Sequence, residues 1–469
     1  MKGMTLERMA QAAHARLCGA PVDQTKELAE AAGIVTDSRQ VKEGFVFVAL
    51  PGERVDGHDF IPQVFAAGAL AVVCECEPQQ PQGPCLLVSS SREALKALAA
   101  LYLDELAIPV VGITGSVGKT STKEMIASVL AQKYCVHKTA GNFNNEIGLP
   151  LTVFGLRDEH EVAVLEMGIS DFGEMSRLAA VARPTVSVIT NIGICHLENL
   201  GTRDGILKAK TEVFDYLREG ATVVLNGDDD KLCTVAEVQG REPVFYGMGE
   251  TRPEGAVYDK KSIFADAIEN RGLRGIDFDL HLPRGTQRVH VAIPGEHNLY
   301  NAMAAAAVGL ALGLSEQEIC AGIEAARTIG GRTNLIEANE YLVIDDCYNA
   351  NPVSMKAAID VLTQGEGRTI AVLGDMGELG ADEKQLHYEV GAYVAEKQID
   401  WLFAAGELSK ELVRGVGEYP DFKTQYEYFG TDVEALCARV CDFARPGDTI
   451  LVKASHFMDY PRIVKALTR

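Results

Sequence analysis

Residues 112–122 have the sequence GITGSVGKTST, which combines glycines with a lysine and several hydroxyl side chains. In a glycine-rich turn, backbone N–H groups can surround phosphate oxygens, a lysine can neutralise their charge, and a hydroxyl can bind Mg²⁺. The pattern departs from the standard phosphate loop because Ile113 stands where its first glycine is usual. The alternative is an accidental glycine-rich turn. We predict a phosphate loop with Lys119 on the phosphates and Thr120 on Mg²⁺.

The flanking residues predict elements that would position this loop. The preceding IPVVGIT is a short apolar, β-branched run typical of a buried strand. In the following KEMIASVLAQK, apolar residues recur at the helical spacing of Met125, Ile126 and Val129. The helix N-terminus adds its own attraction for anions. The order is therefore strand, loop and helix.

Two further polar side chains follow predicted strands. Glu166 ends the apolar run VAVLE, and His196 comes shortly after TVSVITNIG. Carboxyl ends of parallel strands share one edge of a sheet, where a hard cation would find oxygen ligands. The alternatives are a solvated loop glutamate and a structural histidine. We predict that Glu166 and His196 serve a magnesium-dependent site.

The alternation of strands and helices predicts an α/β fold with three domains. Residues 1–108 form a small N-terminal α/β substrate domain. Residues 109–328 form a central phosphate-loop ATPase domain with a parallel sheet, extended by antiparallel strands before the helix HNLYNAMAAAAVGLALG. Residues 329–469 restart the alternation and form a C-terminal Rossmann-like α/β domain.

Composition limits the partners. The 469 residues carry a formal net charge of −22, which argues against nucleic acid and anionic membranes as partners. No apolar run is long enough to cross a bilayer. The 11 cysteines show no disulfide-like framework and fit a reducing compartment. We therefore expect a cytoplasmic protein that binds small molecules, and a monomer by default.

Beyond the phosphate loop, several motifs resemble those of the Mur ligases, the ATP-dependent ligases of peptidoglycan synthesis. They are TGSVGKTSTK, GNFNNEIGLPLT, EMG, TNIGICHLENLG, KAKTEVF, GEHNLYNAMAA, GGR, DDCYNANPVSM and LGDMGELG. They cover essentially the whole chain in the family's order. The N-terminal TDSRQVKEGFVFVALPGERVDGHDFI is similar to the region that holds the uridine-nucleotide sugar peptide. YNANP and GDMGELG are similar to the member that adds D-Ala-D-Ala to UDP-N-acetylmuramoyl-tripeptide.

The resemblance implies an amide ligase that uses ATP, two Mg²⁺ sites and an acyl-phosphate intermediate. It implies that the nucleotide is held by Gly115, Ser116, Gly118, Lys119, Thr120, Ser121, Asn298, Asn301, Arg332 and Asp346. It implies substrate contacts from Ser38, Arg39, Asn142, Asn144, Asn145, Tyr348, Asn349 and Asn351. It implies catalytic roles for Lys119, Lys210, His196 and Glu166, and metal binding by Thr120, Glu166, His196 and a carbamylated Lys210.

Some residues depart from the family pattern, and other functions compete. LVKASHFMDY stands where Lys-Gly-Ser-Arg is common, so Ala454 and His456 replace a glycine and an arginine. A sister ligase or a folylpolyglutamate-type ligase would share the phosphate loop but use another amine. A P-loop kinase or NTPase would explain residues 112–122 alone. A catalytically silent homologue would not need the set of Lys119, Glu166, His196 and Lys210.

Overall fold

The computed structural model describes residues 1–19, 29–78 and 82–469. In these ranges the strands belong to three sheets, of five, nine and six strands, with helices between them. This confirms the predicted α/β class. Contact density divides the chain into two compact units. The first unit contains Met1–Thr114, Lys133–Val188 and Ala209–Val223, and the second contains Gly115–Gln132, Ile189–Lys208 and Val224–Arg469.

The elements alternate along the chain. The strands are β1 (Arg16–Gly19), β2 (Gly33–Val35), β3 (Phe45–Val48), β4 (Ala71–Cys74), β5 (Pro84–Leu87), β6 (Val110–Thr114), β7 (Val136–Lys138), β8 (Val162–Glu166), β9 (Val186–Ile189), β10 (Thr222–Asn226), β11 (Val244–Met248), β12 (Ile263–Asn270), β13 (Ile276–Leu282), β14 (Gly285–Val291), β15 (Asn334–Ala338), β16 (Tyr341–Asp345), β17 (Thr369–Gly374), β18 (Trp401–Ala405), β19 (Gln425–Tyr428) and β20 (Thr449–Lys453). The helices are α1 (Leu6–Ala12), α2 (Ile61–Ala66), α3 (Ser91–Leu106), α4 (Lys119–Leu130), α5 (Gly148–Phe154), α6 (Glu174–Ala182), α7 (Leu197–Leu200), α8 (Arg203–Thr211), α9 (His297–Ala311), α10 (Glu316–Ala325), α11 (Pro352–Leu362), α12 (Glu383–Glu396), α13 (Ser409–Glu418), α14 (Val433–Phe443) and α15 (Pro461–Leu467).

In the first unit, five strands form a sheet in the order β1-β5-β4-β3-β2. Strand β1 is antiparallel to β5, and the other pairs are parallel. The apolar runs GFVFVAL and ALAVVCE contain β3 and β4. The segment SREALKALAALYLDELA contains α3, which begins where the Ser90 side chain accepts the Glu93 N–H and ends at the left-handed Ala107.

The first unit also holds strands β6 and β7, each parallel to the central β8. All five residues of β6 and of β8 are buried, as expected for parallel strands covered on both faces. Ile113 on β6 pairs with Glu166 on β8, so both strands end at the same edge. This register places Glu166 at the carboxyl edge of the strands.

In the second unit, helices α9 and α10 pack on the phosphate-loop helix α4. Gly322 permits this packing because a Cβ atom there would lie 2.4 Å from the Cα atom of Val129. Strands β10, β11 and β12 are parallel, and β12, β13 and β14 are antiparallel neighbours. The antiparallel strands predicted before α9 are therefore confirmed.

The C-terminal sheet of the second unit has the order β15-β16-β20-β17-β18-β19. Only its edge strand β15 is antiparallel. Apolar clusters cover both faces, one centred on α11, α12 and α13 and the other on α14 and α15. The four inner strands β16, β17, β18 and β20 are apolar and mostly buried, consistent with the α/β alternation predicted for residues 329–469. The edge strands β15 and β19 are more exposed and lack such apolar runs.

Across the described residues, the helices are too short or too polar to cross a membrane.

Candidate active site

The loop between β6 and α4 has the backbone of a phosphate loop. Gly115 has φ 148° and Gly118 has φ 84°, a region that favours glycine. A Cβ atom on Gly115 would lie 1.9 Å from Thr190 Oγ1. Ser116 N–H donates to Asn191 O at 3.1 Å, and Val117 N–H donates to Asn191 Oδ1 at 2.9 Å. The loop is therefore fixed against the segment that follows β9.

Lys119 is the first residue of α4, and its side chain turns back over the loop. Its ammonium donates to Gly115 O at 2.7 Å and to Ser116 O at 3.5 Å. Ser116 Oγ donates to Gly193 O at 3.1 Å, so this hydroxyl also fixes the loop. The lysine thus holds a positive charge at the N-terminus of α4, where the helix itself attracts anions.

Beside the loop lies a cavity of about 190 Å³. Of the predicted nucleotide residues, it is lined by Gly118, Ser121, Asn301, Arg332 and Asp346. Residues that sequence reasoning missed also line it, notably Asn191, Asn226, Tyr246, His297, Tyr300 and Lys453. Tyr246 and Tyr300 stand in ordinary strand and helix patterns, so no sequence signal marked them. The cavity combines aromatic walls with polar groups, a composition typical of a small-molecule site.

Arg332 reaches the phosphate-loop helix from the GGR segment. Its guanidinium carbon lies 4.2 Å from the centre of the Tyr348 ring, and Nη2 donates to Thr120 Oγ1 at 3.3 Å. Its Nε is buried and has no hydrogen-bond acceptor among the described residues. A buried donor of this kind is costly unless a ligand satisfies it. A guanidinium beside a phosphate loop therefore fits a phosphate oxygen as its missing acceptor.

Two adjacent carboxylates hold the backbone on either side of Arg332. Gly331 N–H donates to Asp345 Oδ2 at 2.7 Å, and Thr333 N–H donates to Asp346 Oδ1 at 3.0 Å. The second carboxylate also lies 2.6 Å from the buried ammonium of Lys453. Asp346, which the resemblance assigns to the nucleotide, therefore also has structural partners.

The two predicted asparagines of α9 form a hydrogen-bond chain. Thr122 Oγ1 donates to Asn301 Oδ1 at 2.7 Å, and Asn301 Nδ2 donates to Asn298 Oδ1 at 2.9 Å. Asn298 Nδ2 in turn donates to Pro294 O at 2.9 Å. The chain ties α9 to α4, so these side chains connect the phosphate-loop helix to the cavity wall.

The predicted substrate residues of the second unit surround the start of α11. Asn351 caps this helix, accepting Ser354 N–H at 2.9 Å. Asn349 Oδ1 accepts Ala350 N–H at 2.9 Å, and Tyr348 lies edge-on to His456 with ring centres 6.0 Å apart. Asn351 is therefore a helix cap, whereas Tyr348 stacks on Arg332.

In the first unit, Glu166 is 2% exposed and its carboxylate accepts Asn144 Nδ2–H at 2.9 Å. Asn145 instead accepts Gly148 N–H at 2.8 Å and caps the start of α5. Asn142 is exposed. The structure therefore brings only Asn144 of the three predicted asparagines to Glu166.

The remaining predicted residues lie on separate elements. Lys210 is 1% exposed on α8. Ser38 begins a short 3₁₀ turn, and the exposed Arg39 donates to Asp37, which lowers the pKa of that carboxyl to about 2. His196 Nδ1 lies 3.0 Å from Glu378 Oε2 in the second unit. Among the described residues, no three His, Cys, Asp or Glu side chains form a ready metal cluster.

Comparison with known families accounts for most of the chain. The family model described as Mur ligase middle domain matches residues 113–309. Mur ligase, glutamate ligase domain, matches residues 331–456, and Mur ligase family, catalytic domain, matches residues 30–114.

The chain is also similar to individual proteins over almost its whole length. The chain is 39% identical over 440 residues to UDP-N-acetylmuramoyl-tripeptide--D-alanyl-D-alanine ligase of Bacillus subtilis (strain 168), covering 93% of each chain. A crystal structure of MurF from Acinetobacter baumannii is 34% identical with a TM-score of 0.87, covering 99% of this chain and 98% of that one. MurF ligase from Thermotoga maritima in complex with ADP is 30% identical with a TM-score of 0.80, covering 95% and 98%.

Proposed function

The chain belongs to the Mur ligase family, and we propose that it uses ATP to join D-alanyl-D-alanine to UDP-N-acetylmuramoyl-tripeptide. The products are ADP, phosphate and the UDP-muramoyl-pentapeptide of peptidoglycan synthesis. The proposal rests on one observation above others: Arg332 presents an unsatisfied buried donor beside a well-formed phosphate loop. The similarity to the Bacillus subtilis and Thermotoga maritima proteins supports this substrate pair and an adenine nucleotide.

The chemistry requires an activated carboxylate. A carboxylate oxygen of the tripeptide attacks the γ-phosphorus of ATP, and ADP leaves with the electrons of the broken bond. The neutral amine of D-Ala-D-Ala then attacks the carbonyl carbon of the acyl phosphate. The C–O bond breaks, phosphate leaves with its electrons, and the new amide nitrogen loses a proton to solvent. Lys119 and Arg332 would stabilise the charge on the phosphoryl group during transfer, which is the largest contribution such a site can make.

We infer a requirement for Mg²⁺, with two sites. Two of the predicted ligands fit a hard cation, because Thr120 offers a hydroxyl and Glu166 a buried carboxylate. His196 would add an imidazole nitrogen. Lys210 would add a carbamate, formed from its neutral amine and carbon dioxide. When bound, Mg²⁺ would supply charge neutralisation on the nucleotide phosphates. Within the chain, Asn144 holds the Glu166 carboxylate through Oε1.

We propose the remaining assignments by region. Residues 1–108 would bind the UDP-sugar peptide with Ser38 and Arg39, residues 109–328 would bind ATP, and residues 329–469 would complete the nucleotide and dipeptide sites. All 11 cysteines are free thiols, which favours a reducing compartment, and we place the protein in the cytoplasm. We propose a monomer that acts on small molecules, with no nucleic-acid or membrane partner.

Phosphate release from ATP tests the proposal when it is measured with a matrix of acceptors. The purified protein receives Mg²⁺ and UDP-muramoyl-tripeptides with lysine or diaminopimelate as third residue, each with and without D-Ala-D-Ala. We expect release only with both substrates, and a product of pentapeptide mass. Release with a single amino acid or a shorter peptide would assign the chain to a sister ligase. Phosphate release at the same rate with and without every acceptor would contradict the proposed ligase activity.

A further inference from the structure

The loop Asp375–Glu378, within the segment LGDMGELG after β17, is held by hydrogen bonds along its backbone. Met376 N–H donates to His387 Nε2 at 2.9 Å, and Gly377 N–H donates to Ser455 Oγ at 2.9 Å. His387 is 0% exposed, so the first of these bonds is shielded from water. The backbone of this loop is therefore fixed, and Glu378 extends from a rigid support.

The loop is also anchored at its first residue. Asp375 Oδ1 accepts Ser409 N–H at 2.7 Å, and Asp375 O accepts Ser455 N–H at 3.0 Å. Ser455 belongs to the segment Lys-Ala-Ser-His that departs from the family pattern, but its serine is kept. Ser455 thus holds the loop through both its backbone N–H and its hydroxyl oxygen.

At the end of this loop, Glu378 meets His196. Glu378 Oε2 lies 3.0 Å from His196 Nδ1. Both residues have left-handed backbones, with φ 61° for Glu378 and φ 49° for His196. Such conformations cost energy in non-glycine residues, and they persist where the surroundings dictate them, often at functional sites. Glu378 and His196 both have this backbone conformation and are in contact through their side chains, which indicates that the surrounding structure holds the pair in place.

His196 lies in the segment after β9 that holds the phosphate loop. Gly193, three residues before it, accepts Ser116 Oγ–H through its carbonyl oxygen at 3.1 Å. An imidazole whose Nδ1–H donates to a carboxylate keeps its lone pair on Nε2. Carboxylates that orient an imidazole in this way commonly set its tautomer in active sites.

We propose that Glu378 is a positioning residue for the ligase reaction, acting through His196: its carboxylate accepts Nδ1–H and leaves Nε2 free to accept a hydrogen bond or bind a ligand. The inference rests on the proposed function, since it assigns Glu378 to the same site. It assigns a role to a residue of the LGDMGELG segment, which the sequence analysis used only as a motif of resemblance.

The test compares Glu378→Ala, Glu378→Gln and a control, Asp382→Ala. Asp382 is an exposed carboxylate that follows the LGDMGELG segment, and its side chain makes no capping hydrogen bond to α12. We expect Glu378→Ala to lower kcat for pentapeptide formation by about tenfold to a hundredfold, as for other residues that orient an active-site imidazole. KM should change less than kcat. The glutamine amide oxygen accepts the same hydrogen bond, so Glu378→Gln should retain most of kcat.

A double-mutant cycle decides whether Glu378 acts through His196. In a His196→Asn background, Glu378→Ala should cause no further loss of kcat, because the ring it orients is absent. An equal loss in both backgrounds, a wild-type kcat for Glu378→Ala, or no rescue by glutamine would overturn the inference.

A readout without substrates separates this inference from the proposed function. If the wild-type protein made no pentapeptide, the proposed function would fail and the pair would still be tested by urea unfolding. We expect the effects of Glu378→Ala and His196→Asn on the free energy of unfolding to be non-additive, because the two side chains are in contact. Additive effects would show that the two side chains do not interact in the folded protein, and they would overturn the inference.

Discussion

The ammonium of Lys453 and the carboxylate of Asp346 form a buried ion pair, with Nζ 2.6 Å from Oδ2 and the side chains 2% and 11% exposed. Lys453 also donates to Asn349 O at 2.9 Å. The pair joins the end of β20 to the segment after β16, next to the cavity that we assign to the nucleotide. The charge of the Asp346 carboxylate is therefore compensated within the protein, and we expect this to hold when a nucleotide binds.

Lys453→Met should destabilise the protein by about 3–5 kcal/mol, because it leaves the Asp346 carboxylate buried without its cation. Urea unfolding measures this loss. The control is Arg462→Met, which removes a pair with Glu434 whose side chains are 40% and 81% exposed. That control should cost about 1 kcal/mol or less. Equal losses in the two variants would contradict the role of burial, and adding Asp346→Asn to Lys453→Met should restore part of the stability.

Gly115→Ala should abolish ATP-dependent ligation and lower the melting temperature. The new Cβ atom would lie 1.9 Å from Thr190 Oγ1, and φ 148° is strained for any side-chain-bearing residue. The strain alone is worth about 1–3 kcal/mol. Gly285→Ala is the control, since a Cβ atom there meets nothing within 4 Å. A Gly115→Ala enzyme that binds ATP normally, measured by calorimetry, would show that the loop conformation is different.

Lys210→Ala should lose most ligase activity, because no carbamate can form on alanine. Short carboxylic acids such as acetate should restore part of the rate by supplying the missing anionic group. Activity with and without acetate measures both effects, and Lys208→Ala on the same helix is the control. Full activity in the Lys210→Ala protein would contradict the proposed role of Lys210 in catalysis.

Stability should fall on acidification, and His387 should cause part of that fall. Burial lowers the pKa of His387 below its ordinary value of 6.5, although Glu383, Asp375 and Glu411 oppose the shift. Below pH 6.5 the unfolded chain therefore binds a proton that the folded protein excludes. The loss is at most about 1.4 kcal/mol per pH unit, and none is expected from this group at higher pH.

His387→Gln tests the pH effect by urea unfolding at pH 7.5 and pH 5.5. Burial also lowers the pKa of His137 and His297. Both the wild type and the variant should therefore still lose stability between pH 7.5 and pH 5.5. The variant should show a smaller difference between the two pH values than the wild type. An unchanged difference would mean that His387 is protonated in the folded state.

The sequence predicted the elements whose chemistry is local. The phosphate loop, its strand β6 and helix α4 could be predicted because glycine, lysine and apolar spacing occur within 20 residues or so of one another. The position of Glu166 at the end of β8 followed from one apolar run. The antiparallel strands before α9 were also predicted.

Contacts between distant residues could not be predicted. Lys453 reaches Asp346 across 107 residues, and Arg332 reaches Thr120 across 212. Tyr246 and Tyr300 line the cavity but look like ordinary core residues of a strand and a helix. Asn145 and Asn351 carry signals for both substrate binding and helix capping, and only the folded backbone shows that each caps a helix. The assignment of Glu378 likewise needed the geometry of two loops.

The fate of isotopically labelled oxygen tests the central claim most directly. UDP-muramoyl-tripeptide carrying ¹⁸O in the carboxylate to be ligated is incubated with ATP, Mg²⁺ and D-Ala-D-Ala. The masses of the released phosphate and of the pentapeptide are then measured by mass spectrometry. If the carboxylate is activated by phosphoryl transfer, the released phosphate should carry one ¹⁸O atom and the pentapeptide should appear in equal amount. Unlabelled phosphate, or labelled tripeptide left unchanged while ATP is consumed, would contradict the ligase mechanism.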